Sequence, residues 1–216
     1  TGAKRSHMQH VKLQRLKFDA EYAHYDRYTL LNHQKSYLRR ILRVLEFSGD
    51  DIFLDIGVGG SGYTVIELSR IGVRSIGIDI SSKGILKAKA FAKALGKFQL
   101  CDFIVSSATH LPHRNSSVTK IACIAVIEHI PNDQEVVQEI SRIAKKVYLA
   151  VPNSYQKIPP LLAVPYKIHD RRVGHLRHYK GEELGKIFVE NGFRILETIY
   201  TVFFGKLLQF LLHGLL

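Results

Sequence analysis

The stretch DIFLDIGVGGSGYT, residues 51–64, decides the fold of this chain. A short apolar run ends in Asp55, a glycine-rich turn follows, and a helix-like segment, YTVIELSRIG, comes directly after it. The glycines of the turn are Gly57, Gly59, Gly60 and Gly62. Glycine permits backbone conformations and close approaches that a Cβ forbids, and the first turn of a helix offers unpaired N–H groups to a ligand. The stretch therefore predicts a cofactor-binding turn between a strand and a helix.

The spacing of these glycines also fits G-x-G-x-x-G, the dinucleotide fingerprint. Asp79 ends the next apolar run, SIGIDI, where a carboxylate can accept the hydroxyls of a ribose. The spacing alone leaves two interpretations open, a nicotinamide-type site or a tight turn that binds nothing. Asp55 favours a different cofactor, because a carboxylate two residues before the first glycine would repel a pyrophosphate. It suits a ligand with an ammonium group, such as the methionine end of S-adenosylmethionine.

With Asp55 in this place, LDIGVGGSG resembles the first motif of the class I S-adenosylmethionine-dependent methyltransferases, D/E-x-G-x-G after an apolar strand. The resemblance extends from about residue 20 to 205. It implies an α/β fold: a Rossmann-like, mostly parallel sheet with helices on both faces, in a single domain. The implied cofactor is S-adenosyl-L-methionine, with S-adenosyl-L-homocysteine as its product. GHLRHYKGEELGKIFVENGF, residues 174–193, is similar to the quinone-biosynthesis-like and lipid- or glycan-modifying branches.

The resemblance also implies where the cofactor binds. Asp79 is expected to bind the ribose hydroxyls and Ile80 to pack beside the adenine, while Ser107 replaces the family's acidic residue for the adenine amino group. The full set of implied cofactor-binding residues is Asp55, Gly57, Gly59, Gly60, Gly62, Asp79, Ile80, Ser107 and Ala108.

SVTKIACIAVIEHIPN, residues 117–132, resembles the fourth strand of the family and its catalytic edge. His129 is the predicted catalytic base, because an unperturbed imidazole titrates near neutral pH. Glu128 is expected to hold the loop or orient the acceptor. The alternative for His129 is a histidine that caps the following turn. The family's Asp and polar residue in this segment are replaced by Thr119 and Ala125.

Two segments are predicted to bind the substrate. Tyr25 and Tyr28 belong to an aromatic N-terminal segment, and His175, Arg177 and Tyr179 belong to a second cluster. In related methyltransferases such segments lie near the cofactor and the substrate mouth. The alternatives are a packing helix whose tyrosines cover the sheet edge, and a loop that Arg177 ties down.

Composition favours one domain, because 216 residues with 46% hydrophobic content can bury one good core. Cys101 and Cys123 lie in or beside apolar runs and are predicted to be buried structural thiols. The cysteines and histidines show no metal-ligand spacing, so no metal is predicted. The formal charge of +12 suggests an anionic partner, either an anionic membrane surface, nucleic acid or a phosphate-bearing substrate. Nucleic acid is the less favoured of these partners.

The chain is predicted to consist of four parts. Residues 1–8, TGAKRSHM, look like a cloning remnant, and residues 9–48 are expected to form a helical lid, with a helical pattern over 11–46. Residues 49–203 form the methyltransferase core. Residues 204–216 are an apolar segment that either lies on a membrane surface, lines a channel for a lipid-like substrate or packs on the core. The absence of a signal peptide predicts a cytoplasmic protein, with peripheral membrane binding as an option.

The predicted function is transfer of a methyl group from S-adenosylmethionine to a small, lipidic or glycan-linked acceptor. A nicotinamide-dependent oxidoreductase is one alternative, based on the glycine spacing and Asp79. The other is a basic cofactor-binding module that acts on nucleic acid or RNA, which the replacements at Ser107, Thr119 and Ala125 keep open.

Overall fold

A computed structural model describes residues 2–152 and 160–200 of the chain. Within these residues the helices are α1 (Gly2–Tyr22), α2 (Asn32–Leu45), α3 (Tyr63–Arg70), α4 (Ser82–Ala94), α5 (Asp133–Ile143), α6 (Pro160–Val173) and α7 (Gly181–Glu190). The strands are β1 (Ile52–Ile56), β2 (Arg74–Asp79), β3 (Cys101–Val105), β4 (Lys120–Ile124) and β5 (Lys146–Ala150).

All five strands of the described sheet run parallel, in the order β3-β2-β1-β4-β5. The order reverses beside β1, which has β2 on one side and β4 on the other. In open α/β sheets, ligands bind outside the carboxyl ends of the strands at this reversal. The predicted Rossmann-like sheet is confirmed, and it places the ends of β1, β2 and β4 at the expected binding edge.

Helices cover both faces because alternate residues of the central strand point to opposite sides. Phe53 packs with Ile41 and Leu45 of α2 on one face. Leu54 lies on the other face, in a cluster with Val136 and other apolar residues of α5. All five side chains are completely buried. β1 therefore forms the centre of the core and holds the glycine turn rigidly at its end.

The predicted helices over 83–95 and 133–144 are confirmed as α4 and α5. The prediction of one helical stretch over 11–46 is wrong, because residues 23–31 separate α1 from α2. In this break the hydroxyl of Tyr28 donates to Glu67 of α3 at 2.8 Å, and its ring packs against Phe91 of α4. The break lets α1 lie against α4 while α2 packs beside β5.

Cys101 and Cys123 are buried free thiols, as predicted, and burial raises the pKa of the Cys101 thiol. Among the residues that the structure describes, no helix combines the length and apolar character needed to cross a membrane. The predicted apolar segment 204–216 lies outside the described residues.

Candidate active site

The glycine turn after β1 is held against the end of β2 by its own backbone. The N–H groups of Gly57 and Val58 both donate to the carbonyl of Ile78 at 2.9 Å. Gly57 has a φ of +77°, and a Cβ there would lie 2.1 Å from Cγ2 of Val126. Because both the conformation and the space exclude a side chain, glycine is required at this position.

Asp79 ends β2 and is fixed in orientation by two backbone groups. Its Oδ2 accepts from the N–H of Gly59 at 2.9 Å, and its Oδ1 accepts from the N–H of Ser81 at 2.8 Å. Burial raises the pKa of its carboxyl to about 6, although these hydrogen bonds oppose the shift. Asp79, the residue predicted to bind the ribose, is thus hydrogen-bonded directly to the glycine turn.

Asp55 is buried and takes a close hydrogen bond from the hydroxyl of Thr64, in the first turn of α3. Burial raises the pKa of Asp55 to about 7, against the effect of the Thr64 hydroxyl. The described pocket wall does not include Asp55. In this conformation its carboxylate holds α3 against β1, which is a role that sequence reasoning did not assign.

A pocket opens at the carboxyl ends of β1, β2 and β4 and contains about 730 Å³ of space, counted out to its mouth. Six of the predicted site residues line it together: Gly57, Asp79, Ile80, Ser107, Ala108 and His129. The hydroxyl oxygens of Ser107 and Thr109 lie 2.9 Å apart at its edge. The structure therefore brings the predicted cofactor residues and His129 into one cavity.

Helix α1 forms a wall of this pocket through His10, Val11, Gln14, Phe18 and Tyr22. Four of these residues recur every four positions and so share one helix face. That spacing is the signal from which they could have been found. The side chain of Tyr22 lies over the turn. A Cβ on Gly60 would be only 3.0 Å from both Cβ and Cγ of Tyr22. Helix α1 therefore covers the glycine turn.

Hydrogen bonds fasten α1 on both sides of the pocket. On the β4 side, His10 Nε2 and Gln14 Nε2 lie 3.2 and 3.1 Å from the carbonyl oxygen of His129. On the β2 side, Asp19 Oδ1 accepts from Ser81 Oγ at 2.5 Å and from the N–H of Lys83 at 3.0 Å. Asp19 thus provides an acceptor for two donors at the start of α4, the Ser81 hydroxyl and the Lys83 N–H.

The catalytic edge after β4 contains Ala125 with a φ of +54° and a short 3-10 helix, Ile127–His129. The left-handed conformation of a non-glycine residue such as Ala125 is typical of functional sites. Burial lowers the pKa of His129 to about 4, although a contact of 3.2 Å between its Nδ1 and the carbonyl of Gly174 opposes the shift. Glu128 is fully buried, and burial raises its pKa to about 7.

Comparison with known proteins matches residues 54–147 to a methyltransferase domain. Norajmaline N-methyltransferase of Rauvolfia serpentina is 31% identical over 91 residues, which are 42% of this chain and 31% of that protein. Ubiquinone biosynthesis O-methyltransferase of Paracidovorax citrulli is 29% identical over 92 residues, 43% of this chain and 38% of that protein. The chain thus spans well under half the length of these two curated relatives.

Geranyl diphosphate C-methyltransferase of Streptomyces coelicolor shares the fold. Its crystal structure, with Mg²⁺, geranyl diphosphate and S-adenosyl-L-homocysteine, has a TM-score of 0.62 at 17% identity and covers 73% of this chain and 60% of that one. The domain match, the relatives and the fold agree. Together they support a class I S-adenosylmethionine-dependent methyltransferase, and the domain match extends over residues 54–147. The predicted family and cofactor are confirmed at this level, and the branch within the family stays a prediction.

Of the five predicted substrate-binding residues, His175 lies beside the predicted base. Its ring centroid lies 4.9 Å from that of His129. Tyr25 packs against Tyr22, with centroids 5.4 Å apart, and the described pocket wall includes neither Tyr25 nor Tyr28. The structure therefore brings the ring of His175 next to that of the predicted base.

Arg177 and Tyr179 serve the loop after the catalytic edge. The guanidinium of Arg177 donates to the carbonyls of Ile130 and Pro131 at 2.8 and 2.6 Å, and it lies 3.1 Å from the Asp133 carboxylate. The hydroxyl of Tyr179 donates to Asp133 at 2.9 Å. These contacts correspond to the alternative in which the loop is tied down, and substrate binding by these residues stays a prediction.

Proposed function

We propose that the chain transfers the methyl group of S-adenosylmethionine to a small-molecule acceptor. The observation that carries the proposal is the single pocket that joins the glycine turn and Asp79 to His129. The two curated relatives are named as an N-methyltransferase and an O-methyltransferase. The nicotinamide alternative and the nucleic-acid module have no comparable support.

The cofactor half of the pocket fits S-adenosylmethionine. Asp79 is buried, ordered by two N–H groups and able to accept from ribose hydroxyls. Ile80 and Ala108 offer apolar surface beside it for an adenine ring, with the Ser107 hydroxyl at the rim. When bound, S-adenosylmethionine supplies a methyl group activated by a positively charged sulfur. The residues of this half bind and align the donor, and alignment is a main source of rate in such a displacement.

The acceptor half lies at the catalytic edge, where we place His129 and Glu128 as the catalytic residues. His129 reaches the pocket wall, so its imidazole can take the proton of an acceptor hydroxyl or amine as the new bond forms. Glu128 lies behind it in the fully buried layer. Helix α1 closes this half from outside and reduces the water around the nucleophile.

The acceptor class follows from the walls of this half. Phe18, Val11 and Ile130 present apolar surface, and the imidazoles of His10 and His129 lie beside them. An acceptor with an apolar body and one nucleophilic oxygen or nitrogen matches this arrangement. The same proposal includes a lipidic or glycan-linked acceptor. It also includes docking of the chain to an anionic membrane surface through its basic residues.

The test is calorimetric titration with S-adenosyl-L-homocysteine and, in parallel, with NAD. We expect micromolar binding of S-adenosyl-L-homocysteine alone, since Asp79 and the glycine turn form one rigid unit. Asp79→Asn should weaken this binding at least tenfold, because the amide nitrogen that replaces one carboxylate oxygen cannot accept a hydrogen bond and the negative charge is lost. Asp102→Asn is the matched control, because it removes an exposed carboxylate of β3 away from the pocket. Binding of NAD in place of S-adenosyl-L-homocysteine would overturn the proposal.

A further inference from the structure

A group of imidazoles and carboxylates lies behind the catalytic edge. The proposed methyl transfer uses only some of its members. Its members are Glu128, His129, Asp170, His175 and His178. They come from two distant parts of the chain, the 3-10 helix after β4 and the end of α6 with the segment that follows it. Sequence spacing gave no sign of this group.

Glu128 is the unusual member. Its side chain is 0% exposed, and neither carboxylate oxygen has a hydrogen-bond partner among the described residues. A buried carboxylate without a partner is costly, so it either binds a proton or lies next to a cation. Its Oε1 lies 3.9 Å from Nε2 of His175. This separation is too long for a hydrogen bond.

His175 is oriented by a second carboxylate. Its Nδ1 lies 2.8 Å from Oδ1 of Asp170, whose Oδ2 lies 2.9 Å from Nε2 of His178. A carboxylate that accepts from one ring nitrogen fixes the tautomer and the orientation of the ring, and so sets the direction of the other nitrogen. In this structure the other nitrogen, Nε2, is the one that faces Glu128.

We propose that Glu128, His129 and His175 bind a divalent transition-metal ion. One ligand atom from each of the three lies within 4.8 Å of the others. Ligands at about 2.0–2.2 Å from a metal lie roughly 3–4 Å from each other, which matches the separation between Glu128 and His175. Two imidazoles and one carboxylate favour Zn²⁺, Fe²⁺ or Co²⁺ over Mg²⁺ or Ca²⁺.

The position of the ion defines the acceptor more narrowly. His129 belongs both to this cluster and to the pocket wall, so an open coordination position would face the pocket. An acceptor with an oxygen at or beside its nucleophilic atom fits that position. With the metal present, His129 would be a ligand and would not act as the base. The metal would instead lower the pKa of an acceptor oxygen bound to it, and the proton of that oxygen would leave to solvent before the methyl group is transferred. This part of the inference rests on the proposed function.

The test uses the full chain after treatment with a chelator, titrated with Co²⁺ alone while visible absorbance is recorded. We expect one equivalent to bind with the ligand-field bands of a site that contains nitrogen ligands. Glu128→Gln, which keeps the volume of the side chain, and His175→Gln should each weaken Co²⁺ binding more than tenfold. Asp170→Asn should weaken it roughly 10–100-fold by freeing the His175 ring. His113→Gln, a partly buried imidazole outside the cluster, should leave it unchanged.

Absence of stoichiometric Co²⁺ binding, or binding that Glu128→Gln leaves intact, would overturn the metal site. A parallel titration of the same samples with S-adenosyl-L-homocysteine separates the two proposals. If this ligand binds and Co²⁺ does not, the methyltransferase function stands without the metal. If Co²⁺ binds and S-adenosyl-L-homocysteine does not, the metal site stands and the proposed function fails.

Discussion

Replacing Gly57 with alanine tests the rigid turn on which the proposed site depends. Two separate effects should destabilise Gly57→Ala. Its φ of +77° costs an L-residue about 1–2 kcal/mol. The new Cβ would lie 2.1 Å from Val126 Cγ2, and such overpacking typically costs about 1–3 kcal/mol. The free energy of unfolding should therefore fall by about 2–5 kcal/mol, the sum of these two ranges.

Two other glycines separate these effects. Gly72 has a φ of +88° with open space around it, so Gly72→Ala should show only the conformational cost. Gly49 has neither a left-handed φ nor a neighbour within 4 Å, so Gly49→Ala should be neutral or slightly stabilising. Urea unfolding followed by circular dichroism measures all three variants. The excess cost of Gly57→Ala over Gly72→Ala is the contribution of the Val126 contact.

A double-mutant cycle then checks the cause. In a Val126→Ala background the alanine at position 57 should lose most of its excess cost, with a coupling of about 1–3 kcal/mol. An equal loss of stability in Gly57→Ala and Gly72→Ala, or a cycle without coupling, would refute the packing argument. The turn would then tolerate a side chain that the structure excludes.

Three further predictions concern charge and the position of α1. The affinity for S-adenosyl-L-homocysteine should fall about tenfold from pH 8 to pH 5, because the Asp79 carboxyl, with a pKa of about 6, becomes protonated over this range. Calorimetry on Asp79→Asn should give an affinity that does not change with pH. Lys120→Met should lower the free energy of unfolding by about 3–5 kcal/mol, because it leaves the buried Asp51 carboxylate without its cation. In a denaturant titration the double variant Lys120→Met/Asp51→Asn should be more stable than Lys120→Met, and equal stability would contradict this explanation. Asp19→Ala should speed dissociation of S-adenosyl-L-homocysteine several-fold in stopped-flow measurements, because α1 loses its bonds to the start of α4, and an unchanged rate would mean that α1 does not hold the ligand.

The sequence predicted the parts of the site that neighbouring residues build. The turn at Gly57 and the carboxylate at Asp79 each come at the end of an apolar run, so the local pattern predicts a strand with a ligand-binding end. Parallel strands then bring both ends to one edge of the sheet. For this reason six predicted residues line one pocket.

The N-terminal region was predicted less well for a physical reason. The break between α1 and α2 contains neither proline nor glycine, so no local signal ends the helix. The contacts of Tyr28 with Glu67 and Phe91 favour the break, and these residues are distant in sequence. Tertiary packing overrode helix propensity here.

By itself, the sequence determined the fold class, the glycine turn and the cofactor, because each follows from short motifs whose residues are neighbours along the chain. Only the tertiary structure decided that α1 covers that turn and that Asp170 orients His175 toward Glu128. A periodic pattern shows which face of a helix is apolar, but not which surface that face will meet. The contact between residues 128 and 175 exists because β4 and the end of α6 converge in space, and no spacing along the chain encodes that convergence.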